Sequence, residues 1–367
     1  MKDLENVIII DDKNVKMVKS DTYNFIFDKR NGQFARWGKT EKDDPTVAPA
    51  PEILDLEISA GKDCIGCEYC YKANGPEAEE THNLTFKQFV DIFHKMPKTL
   101  TQIAFGIMNV NTNPEFYGMM HYARHCGVIP NYTTNGFGVD AKVAEITARL
   151  CGAVAVSCHV KEVAYNAVKQ FTDAGMTQVN IHQVLHQQNY KKVLELLHDR
   201  INDPRLAKLN AVVFLAYKPK GTNAGKFTSC SVEEYKILIE ICQNNGISIG
   251  FDSCSAPAVF KAYEKLGKYD QVQQMIEPCE SSCFSSYISC KGLFYPCSFS
   301  EGEPGWEEGL DVLSCEDFTK DIWQHPRTVA FRDKLMGTTS KCNGCIAQSG
   351  CRSCPLFPVT TCVKEYN

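Results

Sequence analysis

Apolar and polar positions change period several times along the chain. In the first fifty residues VKMV and YNFIF alternate as strands do, and DKRNGQFARWG follows. Asn31-Gly32 supplies two residues that tolerate positive φ, the signature of a tight hairpin turn. A short N-terminal β-hairpin is expected, with TEKDDPTVAPAP (40–51) as a polar, proline-rich linker. From residue 52 short apolar runs alternate with runs of helical period. Strands are expected at 53–59, 101–107, 129–136, 153–160, 178–185, 210–221 and 247–253. Helices are expected at 84–96, 114–127, 142–152, 161–175, 190–202 and 231–246, the last capped by Ser231. Six or seven strands alternating with helices imply parallel pairing in a partial or full α/β barrel. Chemistry in such barrels sits on the loops at the carboxyl ends of the strands. From residue 256 the rhythm stops, and glycine, proline and serine rise between cysteines. Three segments are expected: 1–51 hairpin and linker, 52–255 barrel, and 256–367 an irregular cysteine-rich domain.

Charge narrows the partners. A net charge of −5 and a pI near 6.0 argue against a broad nucleic-acid footprint. No apolar run is long enough to span a membrane, and MKDLENVIII lacks a signal-peptide layout. The expected location is cytoplasmic, with reduced thiols. Nineteen cysteines in such a chain are better read as metal or cluster ligands, with some buried apolar thiols, than as disulfides.

Cys64, Cys67 and Cys70 fall within DCIGCEYCYKANG, directly after the first barrel strand. Three thiols within seven residues suit three corners of a [4Fe–4S] cluster with the fourth iron open. A zinc knuckle with a distant fourth ligand is the alternative. The second group is Cys279, Cys283 and Cys297, then Cys342-x2-Cys345-x5-Cys351-x2-Cys354, then Cys362. Cys290 falls between Cys283 and Cys297 and competes with Cys279 as a ligand. Cluster ligation again stands against structural zinc. Cys126, Cys151, Cys158, Cys230, Cys242 and Cys315 are expected to be buried apolar thiols. Cys254, just past the last strand, is a candidate substrate-facing thiol.

These residues resemble the radical S-adenosylmethionine (radical SAM) family with its C-terminal SPASM extension. The family places three cysteines after the first strand of a partial (β/α)6 barrel of TIM type, with an aromatic residue before the third. Tyr69 takes that place. The family's first gap holds three residues, and here it holds two. FGIMNVNTNP (105–114) stands where the family has Gly-Gly-Glu-Pro, so Gly106 and Asn109 are assigned to cofactor contact. Thr134-Asn135-Gly136 matches the turn after the third strand. Ser157 and His182 lie at the ends of the fourth and fifth. The resemblance further implies two auxiliary [4Fe–4S] clusters, one on Cys279, Cys283, Cys297 and Cys354, the other on Cys342, Cys345, Cys351 and Cys362.

The activity it implies is reductive cleavage of S-adenosylmethionine to a 5′-deoxyadenosyl radical, which abstracts hydrogen from a substrate. An external one-electron donor such as flavodoxin or ferredoxin would feed the cluster. A peptide or protein side chain is the expected substrate, and a small metabolite or nucleotide the alternative. His182, Lys218 and Asp252 lie near strand ends as substrate-facing groups. Asp252 is placed as a base, or else as half of a salt bridge with such a neighbour.

Overall fold

A computed structural model describes residues 1–272, 276–337, 342–345, 347, 350–352 and 354–357. Strands β1 (Ile8–Asp11), β2 (Val15–Lys19), β3 (Asn24–Asp28) and β4 (Phe34–Trp37) form one antiparallel sheet in that order. The expected hairpin is therefore half of a larger sheet. Val18, Phe25 and Phe27 bury one face of it. Two polar anchors dock it on the barrel. Lys16 is fully buried and donates to the Leu100 carbonyl at 2.6 Å. Arg36 pairs with the buried Glu52 at 2.7 Å and lies 3.6 Å over the Phe284 ring.

The barrel begins with β5 (Ile53–Glu57). β6 (Ser59–Ala60) and β7 (His82–Asn83) then pair antiparallel and pinch the base of the cysteine loop. The alternating units follow: α1 (Phe86–Lys95), β8 (Gln102–Gly106), α2 (Phe116–His125), β9 (Ile129–Thr134), α3 (Ala141–Leu150), β10 (Val154–Ser157) and α4 (Lys161–Asp173). The series continues with β11 (Val179–Leu185), α5 (Tyr190–Asn202), β12 (Ala211–Ala216), α6 (Val232–Asn244), β13 (Ile249–Phe251), α7 (Ala256–Lys265) and α8 (Tyr269–Val272). Local signals fix these ends. Thr85 with Gln88 and Ser231 with Glu234 form capping boxes.

Strands β5 and β8 to β13 pair in parallel, in the order β13-β12-β11-β10-β9-β8-β5. The architecture is the expected partial α/β barrel. It is not closed by β13 meeting β5, because the free edge of β5 is taken by β14 (Ser285–Ile288), again in parallel. β15 (Leu293–Tyr295) and β16 (Leu310–Asp311) extend the sheet, and α9 (Pro326–Met336) follows. The C-terminal region thus shares one ten-stranded sheet with the barrel.

Burial alternates along the strands. Leu56, Phe105, Tyr132, Val156 and Phe214 are buried among the helices. The opposite face carries small or polar groups, including Asp55, Ala104, Thr133, His182 and Val213, which are half-buried. A concave side built this way leaves room for a ligand. Among the described residues no helix is long and apolar enough to cross a membrane.

Candidate functional site

The cysteine loop sits at the carboxyl end of β5. Gly66, between Cys64 and Cys67, has φ +73°, so a left-handed residue turns the chain within the shortened gap. Cys67 and Cys70 are within hydrogen-bond reach of each other. That contact, with the backbone amides of Asn74 and Lys72, lowers the pKa of the Cys70 thiol. Cys64 also lies close enough to both to interact electrostatically. The loop is pinned from outside. Thr222 donates to the Cys70 carbonyl at 2.8 Å. Gly221 makes this possible: a Cβ there would lie 2.1 Å from the same carbonyl oxygen. Lys72 pairs with Glu57 at 3.2 Å and also with Glu301, tying the loop to the C-terminal region.

The expected strand-end residues divide into groups. Asn109 accepts from Asn135 at 2.6 Å and donates to the Asp63 carbonyl at 3.1 Å, beside Cys64. Thr134 turns inward on its own loop, its hydroxyl accepting from the Gly136 amide at 3.1 Å. Gly106 lets β8 approach β5, since a Cβ there would sit 3.3 Å from the Glu57 Cα. Ser157 and His182 are partners in the β10–β11 register. Burial lowers His182 to about 4, opposed by nearby Asp252.

Tyr69 enters a cavity of about 720 Å3 lined also by Cys67, His159, His186, Lys192 and Asp199. Its hydroxyl is 3.3 Å from His159 Nδ1. Its ring lies 5.4 Å from His186 and 6.1 Å from Phe227. The Nε2 of His186 is buried without a hydrogen-bond partner. His186 was not expected at the site. It stands one residue past β11, and only the fold brings it to the cysteine loop.

Asp252 is fully engaged. It takes Lys218 at 2.7 Å, the Ala216 amide at 3.1 Å, and the Ser255 hydroxyl at 2.5 Å. Burial works against the Lys218 charge, but Asp252 keeps its pKa above normal. This pair is a salt bridge at the barrel rim, the alternative expected for Asp252 from the sequence. Asp55, unremarked in the sequence, has no hydrogen-bond or ion-pair partner for its carboxylate among the described residues, and burial raises it to about 6.

Asp55, Lys218 and Asp252 line a second cavity of about 210 Å3 together with Cys254, Cys279, Cys297 and Cys354. Cys290 lies elsewhere, its amide donating to Glu57 at 3.3 Å. Cys342 and Cys345 share a tight turn, the Cys345 amide donating to the Cys342 carbonyl at 2.9 Å. Cys351 follows, its amide bonded to Ala347 at 2.9 Å. Cys362 lies outside the described residues. Among the described residues no three His, Cys, Asp or Glu side chains converge on one point as a mononuclear metal requires.

No family model matches the sequence, and no curated protein is similar to it by sequence. Solved structures are similar in fold. Streptococcus suis SuiB, in a structure bound to precursor peptide SuiA, superposes with a TM-score of 0.70 at 12% identity, over 95% of each chain. anSMEcpe with bound AdoMet and the Cp18Cys peptide gives 0.58 at 16% identity, over 82% of this chain and 89% of that one. The fold is thus shared along nearly the whole chain, including the strands beyond the barrel.

Proposed function

We propose that this chain is a radical SAM enzyme with a SPASM-type C-terminal segment, and that it oxidatively modifies a peptide or protein side chain. One observation carries the reading most: three thiols share the loop at the end of β5, beside a cavity of about 720 Å3, a size that suits a nucleoside-bearing cofactor. When bound, S-adenosylmethionine on a reduced [4Fe–4S] cluster supplies one-electron hydrogen-abstraction chemistry.

The chain's residues have separable tasks. Cys64, Cys67 and Cys70 would hold the cluster as thiolates, three ligands for a site of four irons. Tyr69, His159 and His186 wall the cavity with rings suited to stack on a purine, and His186 Nε2 is available to hydrogen-bond it. Asn109 and Asn135 hold the loop entrance, and Ser157 with His182 sets the polarity of the strand ends. Asp55 lines the smaller cavity beside the C-terminal cysteines. The C-terminal cysteines would hold two further [4Fe–4S] clusters, which would supply electron-accepting chemistry. A flavodoxin- or ferredoxin-like donor supplies the first electron. A peptide substrate is favoured by the fold shared with SuiB and anSMEcpe, both of which have structures with peptide bound.

The test is anaerobic incubation with S-adenosylmethionine and dithionite. The expected product is 5′-deoxyadenosine, released faster with the right peptide. A colourless, zinc-loaded protein that releases none overturns the reading.

A further inference from the structure

The second cavity distributes its thiols in a way that the cysteine spacing does not anticipate. Cys254, Cys279, Cys297 and Cys354 all line it, and Cys283 does not. Cys254 interacts electrostatically with Cys279 and Cys354, and Cys297 with the same two. Cys283 is fully buried in the apolar core. Its neighbours are Arg332 and Arg352, and the Arg352 guanidinium is within hydrogen-bond reach of its sulfur. Among the cavity thiols, Cys279 interacts with it electrostatically.

We propose that Cys254 is an iron ligand, completing with Cys279, Cys297 and Cys354 the auxiliary cluster nearest the barrel, and that Cys283 is a core thiol. The proposal rests on reading the chain as an iron–sulfur enzyme. Four thiols around about 210 Å3 match the four corners of a cubane, and each gives up its proton to form one iron–sulfur bond. The position of Cys254 is fixed before any iron arrives. It lies in the turn Ser253–Ser255, where Asp252 Oδ1 accepts both the amide (3.1 Å) and the hydroxyl (2.5 Å) of Ser255. The Asp252 amide in turn donates to the Phe214 carbonyl at 3.0 Å. The cavity also supplies compensating charge. Lys218, held by Asp252, lies 4.5 Å over the Phe299 ring and faces Cys254 and Cys297. A cation there offsets the negative charge of four thiolates around a cluster. The consequence is that the barrel itself, through the end of β13, contributes a ligand to a cluster otherwise held by the C-terminal segment.

The experiment compares anaerobically reconstituted wild type, Cys254→Ala, Cys254→Ser and Cys283→Ala. It uses iron and sulfide analysis, electron paramagnetic resonance, and circular dichroism as a check of fold. Wild type should hold about twelve irons, from three clusters of four. Cys254→Ala should lose about four irons, or show the signal of a three-iron cluster when oxidised. Cys254→Ser, which keeps an oxygen donor, should retain the iron with an altered reduced-state signal. Cys283→Ala should keep wild-type iron and signal. Full iron and an unchanged spectrum in both Cys254 variants overturn the proposal, as does loss of about four irons from a folded Cys283→Ala. Wild type that binds zinc and no sulfide overturns the underlying enzyme reading, and the proposal with it.

Discussion

Asn135 Nδ2 donates to Asn109 Oδ1 across 2.6 Å, and Asn109 passes the connection on to the Asp63 carbonyl at 3.1 Å. The turn after β9, the loop after β8 and the residue preceding Cys64 are thereby one hydrogen-bonded unit.

Replacing Asn135 by Ala removes the donor from this unit and leaves Asn109 Oδ1 without it. The cost is about 1–3 kcal/mol, read as a lower urea midpoint. S-adenosylmethionine binding should weaken in parallel, measured by equilibrium dialysis. Unchanged affinity would mean that the unit does not support the cofactor loop.

Gly221→Ala places a methyl group 2.1 Å from the Cys70 carbonyl at a residue whose φ is +72°. Neither the backbone oxygen nor the dihedral can yield cheaply. The loop should detach from residue 222, with iron lost from the Cys64–Cys70 site and 5′-deoxyadenosine production abolished, while the C-terminal clusters persist. A fully loaded, active variant would show that the contact is dispensable.

Lys218 and Asp252 are nearly buried, with side-chain exposures of 6% and 17%. Lys218→Met leaves a carboxylate in the barrel rim without its cation and should destabilise by about 3–5 kcal/mol. Lys218→Met with Asp252→Asn should recover much of that loss. A double-mutant cycle by denaturant unfolding reads the coupling, and a value near zero would contradict the pairing.

Asp55 and His182 act on stability in opposite senses as pH falls. Burial raises Asp55 to about 6, so the folded protein holds that proton more tightly than the unfolded chain. Its contribution therefore improves as pH drops from about 6 towards 4. Burial lowers His182 to about 4, so its contribution is lost as pH drops from about 6.5 towards 4. Asp55→Asn should lose stability on acidification more steeply than wild type, and His182→Asn less steeply. Unfolding midpoints across this window test the sign, and parallel curves for all three would refute it.

The barrel was legible because its signals are local. Period changes and caps such as Ser231 act within a few residues, and the main barrel strands and helices fall within a residue of the expected bounds. β1 escaped notice because Ile8–Asp11 is one short apolar run in a polar lead-in, and Ile8 stays 65% exposed on the sheet edge. Asp55 was hidden inside ILDLEIS, where a polar residue alternating with apolar ones carries no sign of the cavity it faces. Cys254 reaches the second cavity and Cys283 does not, for the same reason. Spacing along the chain groups Cys283 with Cys279, whereas folding brings β13 and its following turn to the cavity. Asp252 was a reasonable base by position, but its partners Lys218 and Ser255 become visible only in three dimensions.

β5 lies between β8 and β14, and its register with β14 joins residues 53–56 to residues 285–288. A contact spanning more than two hundred positions is slow to form, because loop-closure entropy must be met first. During synthesis the first strand of the barrel is available long before its outer neighbour leaves the ribosome. That strand carries the Cys64–Cys70 loop, and Lys72 within the loop still awaits Glu301. The order of birth is therefore the reverse of the order of completion: the earliest cysteines made are among the last to reach their final surroundings.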